Sequence, residues 1–118
     1  MVQGITIEVF GEKHAIIYPD LPTVSNTGYF IDGKLLVTGD ALTIPNCPVE
    51  ILALPVCAPW SKIMEVIDYA KQVKPKVVFP VHDAMLKITT GFYKWPEMFL
   101  PPEGIKWIVL EEGKAAEF

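Results

Sequence analysis

Histidine is scarce in this chain: there are two in 118 residues, His14 and His82. Any chemistry built on imidazole has to use one or both. Cysteine is equally rare. Cys47 and Cys57 form no C-x-x-C pattern, and the expectation is two reduced thiols in a cytoplasmic protein. No apolar run approaches the roughly 18 residues of a membrane span, and no basic-then-apolar stretch of the signal-peptide kind opens the sequence. Basic residues are outnumbered, 10 against 14 acidic, with a pI near 5.1. That balance speaks against non-specific binding to nucleic acid or an anionic membrane, which needs a basic face. Internal repeats, linkers and low-complexity segments are also missing, so the length accommodates one domain.

Apolar residues, by contrast, are abundant. They make up 51% of the chain, and the mean hydropathy is +0.33. For a chain this small the surplus apolar surface has to face protein, either a core or a partner.

The order of elements follows from patterning. "ITIEVFG" (5–11) alternates Ile5, Ile7 and Val9 with Thr6 and Glu8, the period of a half-buried strand. "HAIIY" (14–18) is expected as a second strand after a Gly-Glu-Lys turn. "PDLPTVSNTG" (19–28) reads as a loop. "YFIDGKLLVTGD" (29–40) reads as a hairpin, because Asp32-Gly33 tolerates the positive φ angles of a tight turn. "VEILALP" (49–55) is a near-continuous apolar run suited to a strand buried on both faces. Ser61 is the expected N-cap of a helix to Val73, with Ile63, Val66, Ile67, Ala70 and Val73 at helical spacing. Lys74-Pro75 ends it, and "KVVFPV" (76–81) completes a β-α-β crossover. Beyond His82 a short helix is expected, then the Pro-punctuated 92–104, then strands at 105–110 and 114–118 paired across Glu112-Gly113.

Three residues stand out for chemistry. His14 opens an expected strand, Asp40 ends the second arm of the hairpin, and His82 ends the last crossover strand. In open α/β sheets, ligands gather beyond the carboxyl ends of strands. Imidazole and carboxylate together suit zinc, manganese or iron. Taken singly, such residues are more often hydrogen-bonded surface groups. Lesser candidates are Cys57, either a nucleophile beside His82 or a small turn filler, and Asp83, whose neighbouring position on a strand turns it away from His82. Trp60, Trp95 and Trp107 are expected in packing or interfaces rather than in a ligand cage. Asp20 and Asp68 read as solvated loop and helix residues.

The stretches "GEKHAIIYPDLPTVSNTGYFIDGKLLVTGDAL" and "VEILALPVCAPWSKIMEVIDYAKQVKPKVVFPVHDAML", with the closing "LEEGKAAEF", resemble the C-terminal half of a metallo-β-lactamase-fold hydrolase. The likeness spans essentially the whole chain and rests mainly on "TGD" and "FPVH" in this order. It implies an α/β (α+β) fold: half of an αββα sandwich, one mixed β-sheet with covering helices. By the same resemblance His14 corresponds to the third histidine on the first metal, Asp40 to the carboxylate bridging both metals, and His82 to the last histidine, on the second metal. The family's H-x-H-x-D-H motif is missing, and with two histidines in the chain nothing else can replace it. A binuclear hydrolase holds two metals about 3.5–4 Å apart, which three residues cannot furnish.

The expectation is therefore a single half-domain, 1–118, with no catalytic residue of its own and at most weak or partial zinc, manganese or iron. It is inactive alone and self-associates, as a dimer or with a complementary N-terminal half. The alternative is a metal-dependent hydrolase whose site a separate chain or an N-terminal half completes.

Overall fold

The computed structural model describes residues 1–11 and 13–118. Glu12, in the middle of the expected Gly-Glu-Lys turn, lies outside the described residues. Six strands form one mixed sheet in sequential order: β1 (Ile7–Phe10), β2 (Gly28–Ile31), β3 (Leu35–Val37), β4 (Ile51–Pro55), β5 (Val77–Val81) and β6 (Lys106–Trp107). The first three are antiparallel neighbours, while β3, β4, β5 and β6 run parallel. The helices are α1 (Ile63–Val73) and α2 (Thr90–Phe99), followed by a single 3₁₀ turn at Pro101–Glu103. No helix among the described residues is long and apolar enough to cross a membrane.

The β2–β3 hairpin closes as its sequence predicts. Asp32 and Gly33 take φ of 53° and 64°, and the Lys34 amide bonds the Ile31 carbonyl at 3.0 Å. The crossover β4–α1–β5 also forms as expected. Its helix starts one residue later than predicted. Lys62 occupies the N-cap position, and the Ser61 hydroxyl turns back to the Ala58 carbonyl at 3.5 Å. Glu65 Oε2 accepts from the Lys62 amide at 3.3 Å, satisfying the N-cap residue's own donor. Lys74 closes the helix in a left-handed conformation, its N–H bonded to Ala70 O.

Pro80 inside β5 is explained by its direction. The Val81 carbonyl accepts from the Val56 amide on the β4 side, so Pro80 faces the β6 side. There pairing ends at Val78↔Trp107, and a missing N–H costs nothing.

Three expectations fail. Residues 14–18 form no strand. Lys13 makes one antiparallel bridge to Ser25, and Ile16, Ile17 and Tyr18 are exposed, because no neighbouring strand is there to pair with them. No helix follows His82 directly; a turn closed by Leu86 N–H to Asp83 O comes first, and the helix begins at Thr90 and accommodates Pro96. The last strand pair is absent. Only Lys106–Trp107 is extended, and Phe118 instead stacks on Phe79 with ring centroids 5.7 Å apart. The tail "KAAEF" holds two alanines with little surface to bury, so its one aromatic ring decides where it goes.

One face of the sheet carries the core. Phe30, Leu36, Leu52, Leu54 and Val78 pack with Val66, Ile67, Tyr69 and Ala70 of α1 and with Leu100 and Ile105. The pairing register places Val9, Tyr29, Val37, Ala53 and Phe79 in one row across the opposite face. A second row there comprises Ile7, Ile31, Leu35, Ile51 and Val77. These residues are as apolar as the core, yet Val9 is 66% exposed and Tyr29 41%. The sheet thus has two apolar faces and helices on one of them.

Candidate metal centre

The carboxyl ends of β3, β4 and β5 lie together because the three strands are parallel and adjacent. Asp40 follows β3, Cys57 and Trp60 follow β4, and His82 follows β5 directly. His14 comes from elsewhere, on the segment after β1. Its amide donates to the Val24 carbonyl at 3.0 Å, which lays that segment beside the 24–25 stretch of the long loop.

The structure brings all three predicted residues together. His14 Nε2 lies 3.3 Å from Asp40 Oδ2, and His82 Nε2 lies 3.0 Å from Asp40 Oδ1. The two imidazoles thus meet opposite oxygens of one carboxylate. The His14 side chain is 8% exposed, against 37% for Asp40 and 35% for His82, so the carboxylate opens to solvent while His14 backs it. Among the described residues no three His, Cys, Asp or Glu side chains converge to hold an ion. The geometry accounts for this: each oxygen of Asp40 has one imidazole, so each side offers two donors.

The other nitrogen of each ring fixes its tautomer. His14 Nδ1 lies 2.7 Å from the Ala15 carbonyl, and His82 Nδ1 lies 2.6 Å from the Cys57 carbonyl. A carbonyl oxygen can only accept, so Nδ1 carries the proton in both rings. In the neutral form each Nε2 then turns a lone pair toward a carboxylate oxygen. That juxtaposition is repulsive unless a cation lies between, either a proton or a metal ion. The donor chemistry fits a divalent ion. Ligands at about 2.0–2.1 Å from zinc stand about 3.3 Å from one another in a tetrahedron, close to both observed separations.

Asp40 is held by a residue that sequence reasoning assigned only to a loop. Asn26 is buried. Its Oδ1 accepts from the Asp40 amide at 2.9 Å, and its Nδ2 donates to the Thr38 carbonyl at 2.9 Å. The side chain thereby spans the "TGD" turn like a strand partner. Gly39 has φ of 70°, and a Cβ there would come within 2.5 Å of Asn26 Oδ1. An Asn in an otherwise turn-forming run was the only signal, and many such Asn residues merely cap turns.

Trp60 also belongs to the site. Its indole packs edge-on to His14, with centroids 4.4 Å apart and planes at 69°, and to His82 at 5.9 Å and 74°. With Asp40, His82, Pro55 and Ser61 it lines a cavity of about 150 Å³. The other candidates lie outside this cluster. Cys57 contributes its carbonyl, and its side chain packs against the core. Asp83 accepts from the Tyr93 hydroxyl. Trp107 packs on the core, Trp95 lies in a groove between α1 and α2, and Asp20 and Asp68 are exposed. Cys47 and Cys57 are free thiols.

No protein-family profile matches the chain. It is 37% identical over 87 residues to Protein Rv0786c of Mycobacterium tuberculosis, covering 70% of this chain and 41% of that protein. Igni18, a metallo hydrolase from the hyperthermophilic archaeon Ignicoccus hospitalis, superposes with a TM-score of 0.64 at 21% identity, over 99% of this chain and 55% of its own. A candidate metal-dependent hydrolase from Parabacteroides distasonis superposes with a TM-score of 0.60 at 18% identity, over 87% of this chain and 50% of its own. The chain therefore shares the fold of these two solved structures and spans about half the length of the proteins it matches.

Proposed function

We propose that this chain is the C-terminal half of a metallo-β-lactamase-type hydrolase, with His14, Asp40 and His82 as its share of a two-metal site. The observation that carries this reading is the pair of imidazoles, each with Nδ1 tied to a carbonyl and Nε2 set against its own oxygen of Asp40. A bridging carboxylate needs that arrangement, and an isolated His–Asp ion pair does not need it twice. Asp40 would be shared between the two ions, His14 would bind one and His82 the other. Zinc suits the donors, as do manganese and iron. When bound, divalent ions supply the Lewis acidity that hydrolysis needs. The chain's own part is to aim two nitrogens and to place one negative charge between them.

The open sheet face fits the same reading. In an αββα sandwich a second sheet covers it, and the matched proteins are about twice as long. The complementary half would bring the remaining ligands on an H-x-H-x-D-H motif, so the chain alone is inactive and binds metal weakly. Free thiols and an acidic balance accord with a cytoplasmic protein without nucleic-acid or membrane partners.

Elemental analysis after dialysis against a chelator tests this. We expect well under one equivalent of tightly held zinc, manganese or iron. Weak uptake of added zinc should be lost in Asp40→Ala and reduced in His14→Ala and His82→Ala. Two retained equivalents, with turnover of a phosphodiester, lactone or lactam abolished by His82→Ala, would show that the site is complete without another half. Uptake indifferent to all three substitutions would remove these residues from the ligand set.

A further inference from the structure

The two histidines are not held equally. The Nδ1–H of His82 is anchored by the carbonyl of Cys57, in the loop that follows the neighbouring strand β4, twenty-five residues away. That of His14 bonds the carbonyl of Ala15, the very next residue, and this bond travels with the segment if the segment moves. Among the described residues, the Lys13–Ser25 bridge and the His14 amide bond to Val24 tie the segment down. Its ring therefore needs an external contact to keep its direction. Besides Asp40, Trp60 provides such a contact among the described residues.

Trp60 is well placed to be a fixed point. It sits in the turn Ala58–Ser61, closed by the Ser61 amide on the Ala58 carbonyl at 3.2 Å. It follows Pro59, and α1 starts three residues later. The turn is thus clamped between a strand and a helix that both pack in the core. The indole stands nearly perpendicular to both imidazoles, the edge-to-face arrangement that aromatic pairs prefer. It is also rigid, with two side-chain torsions and a broad plane.

We propose that Trp60 is a positioning residue: it fixes the His14 ring and keeps the two imidazoles on opposite oxygens of Asp40, so that they cannot close on one ion. This rests on the metal-site reading for its purpose but not for its geometry. A smaller side chain would leave space between the histidines and let His14 swing toward the His82 side. A single ion could then take His14, Asp40 and His82 together, the three protein ligands usual for mononuclear zinc. Trp60 would thus decide between two two-donor half-sites and one three-donor site.

Trp60→Leu and Trp60→Phe, compared with the unaltered chain, test the proposal in two ways. Without metal, ¹H–¹³C spectra of the unaltered chain should show one sharp set of ring signals for each histidine. In Trp60→Leu, the His14 ring signals should shift and broaden as the ring loses its fixed direction, while those of His82 stay unchanged. Trp60→Phe, which keeps an aromatic edge, should restore most of the His14 signal and serves alone if the leucine variant does not fold. With cobalt(II), followed by visible absorption, the unaltered chain should take two ions weakly. Trp60→Leu should take one, about tenfold more tightly, and Asp40→Ala and His14→Ala should each cancel that gain. Equal disturbance of both rings, or of neither, would overturn the positioning role. So would unchanged cobalt stoichiometry in a variant whose His14 ring is mobile. Absence of any cobalt binding in every variant, alongside the selective loosening of His14, would instead refute the metal reading and leave the fixing of His14 by Trp60 standing.

Discussion

His82 is a non-glycine residue in the left-handed region, with φ of 61°. That conformation costs an L residue on the order of 1–2 kcal/mol, and such strain collects at functional sites. Here the turn aims Nε2 at Asp40 while the Nδ1–H bond to Cys57 O offsets the cost. His82→Gly and His82→Ala lose the same hydrogen bond, but only glycine accepts the backbone. The glycine variant should therefore be more stable than the alanine variant by about 1 kcal/mol in urea unfolding; equal midpoints would mean that the turn relaxes elsewhere. Asn26→Ala removes both bonds that hold the "TGD" turn and leaves a buried amide and carbonyl without partners. It should cost about 2 kcal/mol, and zinc uptake should fall further than that loss explains, because Asp40 is freed. Gly39→Ala meets the same Asn26 oxygen from the other side and should cost about 2 kcal/mol or more.

A polar contact joins helix α2 to the exit of β5, the Tyr93 hydroxyl on the Asp83 carboxylate. That bond, helped by burial and by the negative charge of Asp83, pushes the Tyr93 pKa up to about 12 from 10.0. A phenol with a raised folded-state pKa contributes stability that is intact below pH 10 and is lost as pH rises toward 12. Thermal melts between pH 9 and 12 should show the decline, and Tyr93→Phe should flatten it. An unchanged slope in Tyr93→Phe would place the alkaline sensitivity on another group. Tyr69 acts differently. It is buried on α1, its hydroxyl donates to the Thr43 carbonyl at 2.5 Å, and desolvation raises its pKa beyond the ordinary range. It ties the loop after Asp40 to the helix, a role invisible in a helical pattern that placed Tyr69 between two apolar positions.

At the scale of the molecule the open sheet face dominates. Ten residues of β1 to β5 form two registered apolar rows; Val9 and Tyr29 are exposed, most of the rest are half-buried, and Phe118 stacks on Phe79. Exposed apolar surface of this continuity is an interaction site or an aggregation hazard. We expect the isolated chain to be a dimer or larger at high micromolar concentration, with two-fold symmetry as the commonest closure. The double substitution Val9→Lys, Tyr29→Lys places two charges at the exposed β1–β2 end of one row and should yield a monomer of unchanged helix content. Light scattering that finds the unaltered chain monomeric would show that this face does not self-associate.

The elements that the sequence determined by itself are those whose signals are local. Asp32-Gly33 dictates its turn because few other dipeptides adopt two successive positive φ angles. The runs in β4 and β5 dictate buried parallel strands, and Lys74-Pro75 ends a helix on steric grounds. His14, Asp40 and His82 were legible as candidates, because each stands where a strand or an expected strand meets a loop. What only the tertiary structure decided is how they meet. The separation of His14 from Asp40 depends on Asn26 and on the path of a loop without periodicity. The pairing of each imidazole with its own oxygen depends on two carbonyls and an indole contributed by different segments. Residues 14–18 had the composition of a strand and did not become one, because a strand needs a partner as well as a pattern. The same reason governs the open face: alternation says which side chains point away from the helices, but a sheet face is buried only when another surface arrives to cover it.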